Sequence, residues 1–219
     1  MKCIIITKKI WDKNNFNKIN KEIILLNKPN KRIIKKINPK IIFFIHWSKL
    51  VDDTIFKKYL CIQFHSSNLP KGRGGSPIQN QVLLGIKKTK LSAFKITKKL
   101  DFGPLCLQEN LSLNGSALEI YKRIEKKSLI MIKKIVKIKN IKFYPQKGLP
   151  TYFKRRFRKQ SKLNLNKINN LNKLYDFLRM LDAPGYPKAF IELNKFKFIF
   201  SDIVKRKKII SAKVKIINK

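Results

Sequence analysis

The chain has 219 residues and a formal net charge of +40, from 52 lysines and arginines against 12 acidic residues. Its 43% apolar content excludes wholesale disorder, and its length suits one core with a small appendage. The basic residues are mostly lysines, spread along the chain with isoleucine and asparagine, which favours the codon usage of an AT-rich genome over a dedicated nucleic-acid face. The charge should still attract anionic substrates.

The cysteines Cys3, Cys61 and Cys106 each lie in an apolar run and form no CxxC pair. This predicts buried free thiols in a reducing cytoplasm, and with only two histidines no metal site is expected. No apolar stretch approaches the roughly 18 residues of a membrane helix. The sequence therefore predicts a cytoplasmic protein without a membrane partner.

β-branched and aromatic runs at 3–6, 41–45 and 61–64 predict buried strands. The Lys- and Asn-rich stretch between the first two has room for a helix, and 23–26 is a candidate short strand. Further along, 77–84 and 116–138 predict helices and 91–96 a strand, with Ser116 and Glu119 forming a capping box. This alternation indicates an α/β fold with a Rossmann-like, open, mostly parallel sheet flanked by helices.

The character of the chain changes beyond residue 140. Prolines and glycines punctuate a loop, and an Asn-rich segment leads to a predicted helix at 171–181 and strands at 189–193, 196–200 and 209–214. We expect a catalytic domain at 1–140, a linker at 141–172 and a small, mostly-β C-terminal subdomain at 173–219.

The stretch FHSSNLPKGRGGSPIQN, residues 64–80, follows a predicted strand. His65 lies just past the strand end, where open α/β sheets bind ligands. Glycines at 72, 74 and 75 would let the backbone approach a ligand, and Arg73 is a candidate anion contact. The pattern matches neither GxxxxGK[ST] nor GxGxxG, so those nucleotide loops are not supported. A single histidine in this position is more often structural than catalytic.

A second candidate is LDFGP, residues 100–104. A carboxylate from Asp101 near the imidazole would orient it and raise its basicity, as proton transfer in amine chemistry requires. The alternative is that Asp101 is an ordinary turn residue.

The order of these motifs resembles the formyltransferase family, which includes methionyl-tRNA formyltransferase and the sugar-nucleotide N-formyltransferases. The resemblance extends from about residue 39 to 138, and more loosely over 152–156 and 179–190. The matching residues are His65, Ser67, Leu69, Pro70, Arg73, Gly74, Pro77, Ile78, Gln79, Asp101 and Gly103. The resemblance implies transfer of a formyl group from 10-formyltetrahydrofolate to a primary amine, with an Asn-His-Asp triad in the active site.

The resemblance also implies the roles of individual residues. His65 would transfer protons and stabilise charge, Asp101 would orient it, and Gln63 stands where the family has the asparagine. The expected cofactor-binding residues are His46, Trp47, Leu100, Phe102 and Gly103. The expected substrate-binding residues are Asn68, Arg73, Gly74 and Gln79.

Two positions depart from the family. Gln63 adds a methylene to the expected amide, so either the backbone compensates, or Asn68 supplies the amide, or activity is reduced. His46 and Trp47 stand where a glycine is expected. Trp47 is a candidate to stack on a pterin, although an aromatic residue at a strand end is more often part of the core.

Three functions follow as hypotheses. The short chain and the GRGGS turn favour an acceptor amine on a nucleotide-linked amino sugar. The alternatives are formylation of initiator Met-tRNA, which the basicity suits, and a catalytically silent member of the fold. A homodimer is compatible with the sequence.

Overall fold

The computed structural model describes residues 2–12, 15 and 23–219. Residues 13, 14 and 16–22, part of the stretch where the sequence leaves room for a helix, lie outside the described residues. The elements are β1 (Cys3–Thr7), β2 (Ile23–Leu26), α1 (Lys31–Ile37), β3 (Ile41–Ile45), α2 (Asp53–Phe56), β4 (Leu60–His65), β5 (Arg73–Gly74), α3 (Pro77–Leu83), β6 (Lys88–Lys95), β7 (Leu105–Ser112), α4 (Ala117–Lys137), β8 (Tyr152–Phe153), α5 (Leu171–Arg179), β9 (Phe190–Leu193), β10 (Phe196–Arg206) and β11 (Ile209–Asn218).

The central sheet has six strands in the order β2-β1-β3-β4-β6-β7. The first four strands are parallel, whereas β6 pairs antiparallel with β4, and β7 antiparallel with β6. With helices beside this sheet and a separate antiparallel sheet of β9–β11 at the C-terminus, the predicted fold class is confirmed.

The apolar runs form strands because alternate side chains are buried on opposite faces of the sheet. Ile5, Phe43 and Ile62 belong to the core cluster that also contains the apolar face of α4. Ile4 and Phe44, one position away, belong to the cluster that contains Ile34 of α1. Both faces are therefore covered, which explains why these runs lack polar alternation.

Helix α4 begins as the sequence predicts. The Ser116 hydroxyl accepts a bond from the Glu119 amide, and the Glu119 carboxylate accepts one from the Ser116 amide at 2.7 Å, completing the capping box. Buried positions including Ile120, Ile124 and Ile132 then recur at helical spacing. The capped, amphipathic helix carries Tyr121 to the site described below.

Some elements differ from the sequence prediction. Strand β7 (Leu105–Ser112) was not predicted, because its Gln-Glu-Asn segment lacks a buried-strand pattern. The three C-terminal strands are confirmed, with β10 and β11 longer than expected. Cys3 and Cys61 are buried, but Cys106 is only half-buried, which corrects that prediction.

The segment between residues 141 and 172 is partly anchored to the region that contains the six-stranded sheet. Its strand β8 pairs parallel with β5, and Tyr144 pairs with Leu105 at the start of β7. The segment also contains two short 3-10 turns, Arg158–Ser161 and Leu165–Lys167. The domain limits at 140 and 172 stay a prediction.

No helix within residues 2–12, 15 and 23–219 is both long and apolar enough to cross a bilayer. Across the same residues, no group of three His, Cys, Asp or Glu side chains is arranged to hold a metal ion.

Arg179 at the end of α5 joins the C-terminal region to the segment between β7 and α4. It is only 1% exposed, and its Nη1 donates to the carbonyls of Leu113 and Gly115, both at 2.6 Å. Its Nε donates to the Asp176 carboxylate at 2.7 Å. A buried charge is tolerated here because the guanidinium donates to two carbonyls and a carboxylate.

We expect Arg179→Met to lower the free energy of unfolding by about 3–5 kcal/mol, because it leaves two buried carbonyls without their donor and leaves Asp176 paired with Lys87 alone. Urea denaturation measures the change. Lys173→Met, at an exposed position of the same helix, is the control and should change it by about 0.5 kcal/mol or less. Equal losses in both variants would contradict this role for Arg179.

Candidate active site

Gln63 and His65 are two residues apart at the carboxyl end of β4, so their side chains share one face of the strand. Both are buried, and both line a cavity of about 300 Å³. The Nε2 of His65 lies 2.8 Å from the carbonyl oxygen of Gly72. Because a carbonyl only accepts, Nε2 donates this hydrogen bond, and Nδ1 is the nitrogen without a hydrogen when the ring is neutral.

Asp101 faces that free nitrogen. Its Oδ1 lies 3.7 Å from His65 Nδ1, and its Oδ2 accepts a hydrogen bond of 2.9 Å from the Gly74 amide. Asp101 is 3% exposed and has a left-handed φ of 58°. The separation from the imidazole is longer than a direct hydrogen bond, so the carboxylate acts on the ring through its charge in this state.

The loop that carries Asp101 starts at the far end of β4. Since β6 is antiparallel to β4, Ser92 lies beside His65 whereas Lys95 lies beside Ile62, and the Ile96 amide donates to the Cys61 carbonyl. The four-residue separation from Cys61 to His65 corresponds to about 13 Å of strand. The loop must fold back over that distance to bring Asp101 to the histidine.

Several residues predicted from the sequence meet in the cavity. Gln79 donates a hydrogen bond of 2.8 Å to the Tyr121 hydroxyl. Trp47 is 8% exposed and packs edge-on against Phe44, so it is mainly a core residue with one edge on the cavity. The predicted residues that line the cavity are His46, Trp47, Gln63, His65, Gly74, Gln79, Leu100 and Asp101.

Four predicted residues lie outside the lining of this cavity: Asn68, Arg73, Phe102 and Gly103. Asn68 is exposed, lines a different cavity and accepts a long bond of 3.4 Å from Gln108. Arg73 points to Gln146 and lies 3.6 Å from the ring centre of Phe102. At Gly103, a Cβ would lie 1.6 Å from the Lys95 carbonyl oxygen, so this glycine serves chain packing.

The glycines of GRGGS lie against another segment of the chain. A Cβ at Gly74 would lie 2.5 Å from the Phe153 carbonyl oxygen, and one at Gly75 would lie 2.6 Å from Arg155 Cα. These glycines therefore admit the chain's own segment around β8, and Gly74 also lines the cavity. That segment brings Arg155 and Arg156 to the cavity.

The cavity wall is cationic. Lys49, Arg155 and Arg156 line it, and Asp101 is the one acidic residue among the lining side chains. Arg155 donates to the Ser48 carbonyl at 3.2 Å, and Arg156 to the Gln160 carbonyl at 2.6 Å. In the described part of the chain, none of the three has a carboxylate within 4 Å. The arrangement suits an anionic ligand.

His46 occupies the position where the family resemblance predicts a glycine, and its φ of 52° is left-handed. Its ring packs edge-on against Tyr121 at 5.6 Å, and Tyr121 stacks on Trp11 at 4.6 Å. Its Nε2 is buried without a hydrogen-bond partner among the described residues. Burial lowers the pKa of His46 to about 3, so the ring stays neutral at physiological pH.

Sequence reasoning missed several residues of the site. Tyr121 carried only a helix-core signal, and Arg155 and Arg156 carried only the signal of a short basic run. Gln146, which contacts the Asp101 loop, carried none. These residues come from α4 and the segment after it, far from His65 in sequence.

A solved structure, described as methionyl-tRNA formyltransferase from Clostridium thermocellum, is 37% identical with a TM-score of 0.90, and the match covers 100% of both chains. The chain belongs to the formyltransferase family. Within it, residues 158–217 match the model of the methionyl-tRNA formyltransferase C-terminal domain.

Two further formyltransferases share less sequence with the chain. A methionyl-tRNA formyltransferase from Kosmotoga olearia is 29% identical over 169 residues, covering 74% of this chain and 54% of the relative. The chain thus spans about half the length of that curated relative. A likely sugar N-formyltransferase from Mycobacterium tuberculosis shares the fold, with 15% identity, a TM-score of 0.75 and coverage of 94% and 99% of the two chains.

The buried neutral His46 predicts a pH-dependent stability. Its pKa is about 3 in the folded protein against an ordinary 6.5, so the unfolded state takes up a proton first as pH falls. The free energy of unfolding should therefore fall by about 2 kcal/mol more between pH 7 and pH 5 in the wild type than in His46→Gln. Denaturant titrations at both pH values test this. Equal pH slopes would show that His46 titrates normally.

Proposed function

We propose that this protein transfers the formyl group of 10-formyltetrahydrofolate to the amine of methionyl initiator tRNA. The observation that carries the formyl-transfer assignment is the pairing of His65 and Asp101 in one cavity, beside the amide of Gln63. Acyl transfer to an amine requires three groups: a base, a carboxylate that stabilises the protonated base, and an amide donor.

His65 takes the proton that the attacking amine loses. Its Nε2–H is committed to the Gly72 carbonyl, which leaves Nδ1 to accept the proton on the side of Asp101. The carboxylate then stabilises the imidazolium, which returns the proton to the folate nitrogen as the bond from that nitrogen to the formyl carbon breaks. The second carboxylate oxygen is held by the Gly74 amide, so the carboxylate does not need to reorient during the reaction.

Gln63 is the amide group of this site. Its Nε2 donates to the Trp47 carbonyl at 3.4 Å, a long bond that leaves the amide free to turn toward the oxygen on which negative charge develops. Asn68, the other candidate amide, is exposed at a separate cavity. The geometry therefore favours Gln63.

The two substrates have separate places to bind. A second cavity of about 170 Å³ adjoins the first and shares Lys49, Gln63, Leu100 and Asp101 with it. Its wall includes Leu50, Val51, Phe56, Phe94 and Ile96. This apolar wall suits the flat ring of the folate, and the cationic wall of the larger cavity suits the phosphates of the acceptor.

The acceptor is assigned to tRNA because the 37%-identical structure and the C-terminal family match both bear the name of methionyl-tRNA formyltransferase. The sequence favours an amino sugar partly because of the GRGGS turn. In the structure, the glycines of that turn admit β8 and the residues after it. A nucleotide-linked amino sugar stays the second candidate, because its phosphates would also suit Arg155 and Arg156.

A transfer assay tests both parts of the proposal. We expect tetrahydrofolate release when the protein is given 10-formyltetrahydrofolate and methionyl initiator tRNA, and little release with amino-sugar nucleotides. His65→Ala and Asp101→Ala should each lower kcat at least 100-fold, because each removes part of the proton-transfer pair. Lys173→Ala serves as a control for surface charge. If none of the tested amines gives tetrahydrofolate release, formyl transfer is rejected. If only the amino-sugar nucleotides give release, the tRNA assignment is rejected.

The amide assignment has its own test. Gln63→Asn should keep kcat within about threefold of the wild type, because an amide donor persists, whereas Gln63→Leu should lower it by about 100-fold or more. Asn68→Ala is the matched control and should leave kcat unchanged. A large loss in Gln63→Asn would show that the site depends on the longer side chain, and a loss in Asn68→Ala would return that residue to the site.

A further inference from the structure

Gln146 lies in the loop after α4, and its side-chain amide uses all of its hydrogen-bonding capacity. The Nε2 donates to the carbonyls of Asp101 and Gly103, both at 2.8 Å. The Oε1 accepts from Arg73, at 2.6 Å from Nη2 and 3.2 Å from Nε. Since carbonyls only accept and guanidinium groups only donate, these partners permit one orientation of the amide.

Asp101 depends on such external support. Its backbone is left-handed, a conformation that residues with a side chain adopt less readily than glycine. Its loop also has to fold back from the Cys61 end of β4 to the His65 end. The two carbonyls bonded to Gln146 belong to Asp101 itself and to Gly103. We call this pair of hydrogen bonds the Gln146 clamp; it acts where the loop turns toward the histidine.

Arg73 completes the clamp from the other side. It is 6% exposed, and its guanidinium lies 3.6 Å from the ring centre of Phe102, the residue after Asp101. Within the described residues, Arg73 has no carboxylate partner; its side-chain hydrogen bonds go to Gln146 and, at 3.4 Å, to the Tyr152 hydroxyl. A positive group on the amide oxygen polarises the amide and strengthens its N–H donors.

We propose that Gln146 is a positioning residue for the transfer reaction: with Arg73 behind it, it holds the Asp101 loop so that the carboxylate faces His65. This inference rests on the proposed function, since it assigns Asp101 a role in turnover. The residue touches neither the cavity nor the reacting groups directly, and it acts through the Asp101 backbone.

The variant Gln146→Glu separates the two halves of the amide. An ionised carboxylate still accepts from Arg73 but cannot donate to the two carbonyls, and its charge repels them. We expect kcat to fall about 10- to 100-fold, because a displacement of about 1 Å at the reacting groups has effects of that size. The KM values for folate and for the acceptor should stay within about threefold, since Gln146 does not line either cavity.

Two further variants sharpen the test. Asn172→Asp is the amide-to-carboxylate control and should keep normal kcat, because Asn172 is exposed and uses its side-chain oxygen as an acceptor for Lys205 Nζ, a bond that a carboxylate preserves. Gln146→Asn keeps a shorter amide and should give an intermediate kcat. This variant also preserves the test if Gln146→Glu fails to fold.

Hydrogen exchange provides a readout that does not depend on turnover. Amides within residues 97–104 should exchange at least tenfold faster in Gln146→Glu than in the wild type, with residues 117–137 unchanged. An unchanged kcat, an unchanged exchange rate, or a parallel change of kcat and both KM values would overturn the inference. If the wild type transfers no formyl group to any acceptor, the proposed function fails by itself, and the exchange data still decide whether Gln146 holds the loop.

Discussion

The antiparallel pairing of β6 with β4 is the constraint on which the site depends. In a wholly parallel sheet, the loop after the next strand would lie at the same edge as His65. Here it begins at the opposite end of β4 and must fold back over about 13 Å. The left-handed Asp101, the close packing of Gly103 on Lys95 and the bond from the Gly74 amide all serve that return path.

The segment between α4 and the C-terminal sheet contributes side chains to the same site. Its strand β8 pairs with β5 against glycines that leave no room for a Cβ. In doing so it places Arg155 and Arg156 on the cavity and Gln146 beneath the Asp101 loop. This segment therefore supplies the two arginines of the cationic wall, whereas Lys49 comes from the loop after β3.

The histidine and the aspartate could be predicted from the sequence because each follows a strand within a short, ordered motif. The placements of Asn68 and Arg73 could not, because neighbouring loop residues of similar chemistry point in different directions. Asn68 lines another cavity, and the Arg73 side chain points to Gln146 and Phe102. Gln146 gave no signal, since its partners lie more than forty residues away.

The sequence by itself determined the fold class, because continuous apolar runs require a sheet covered on both faces, and it determined the family through the order of its motifs. It also determined where α4 begins, since a capping box is a local interaction. Only the tertiary structure decided which polar side chains meet: backbone direction in β6, the close approach of β8 and the orientation of the Gln146 amide all depend on contacts between distant segments. Those long-range contacts bring Asp101 to His65.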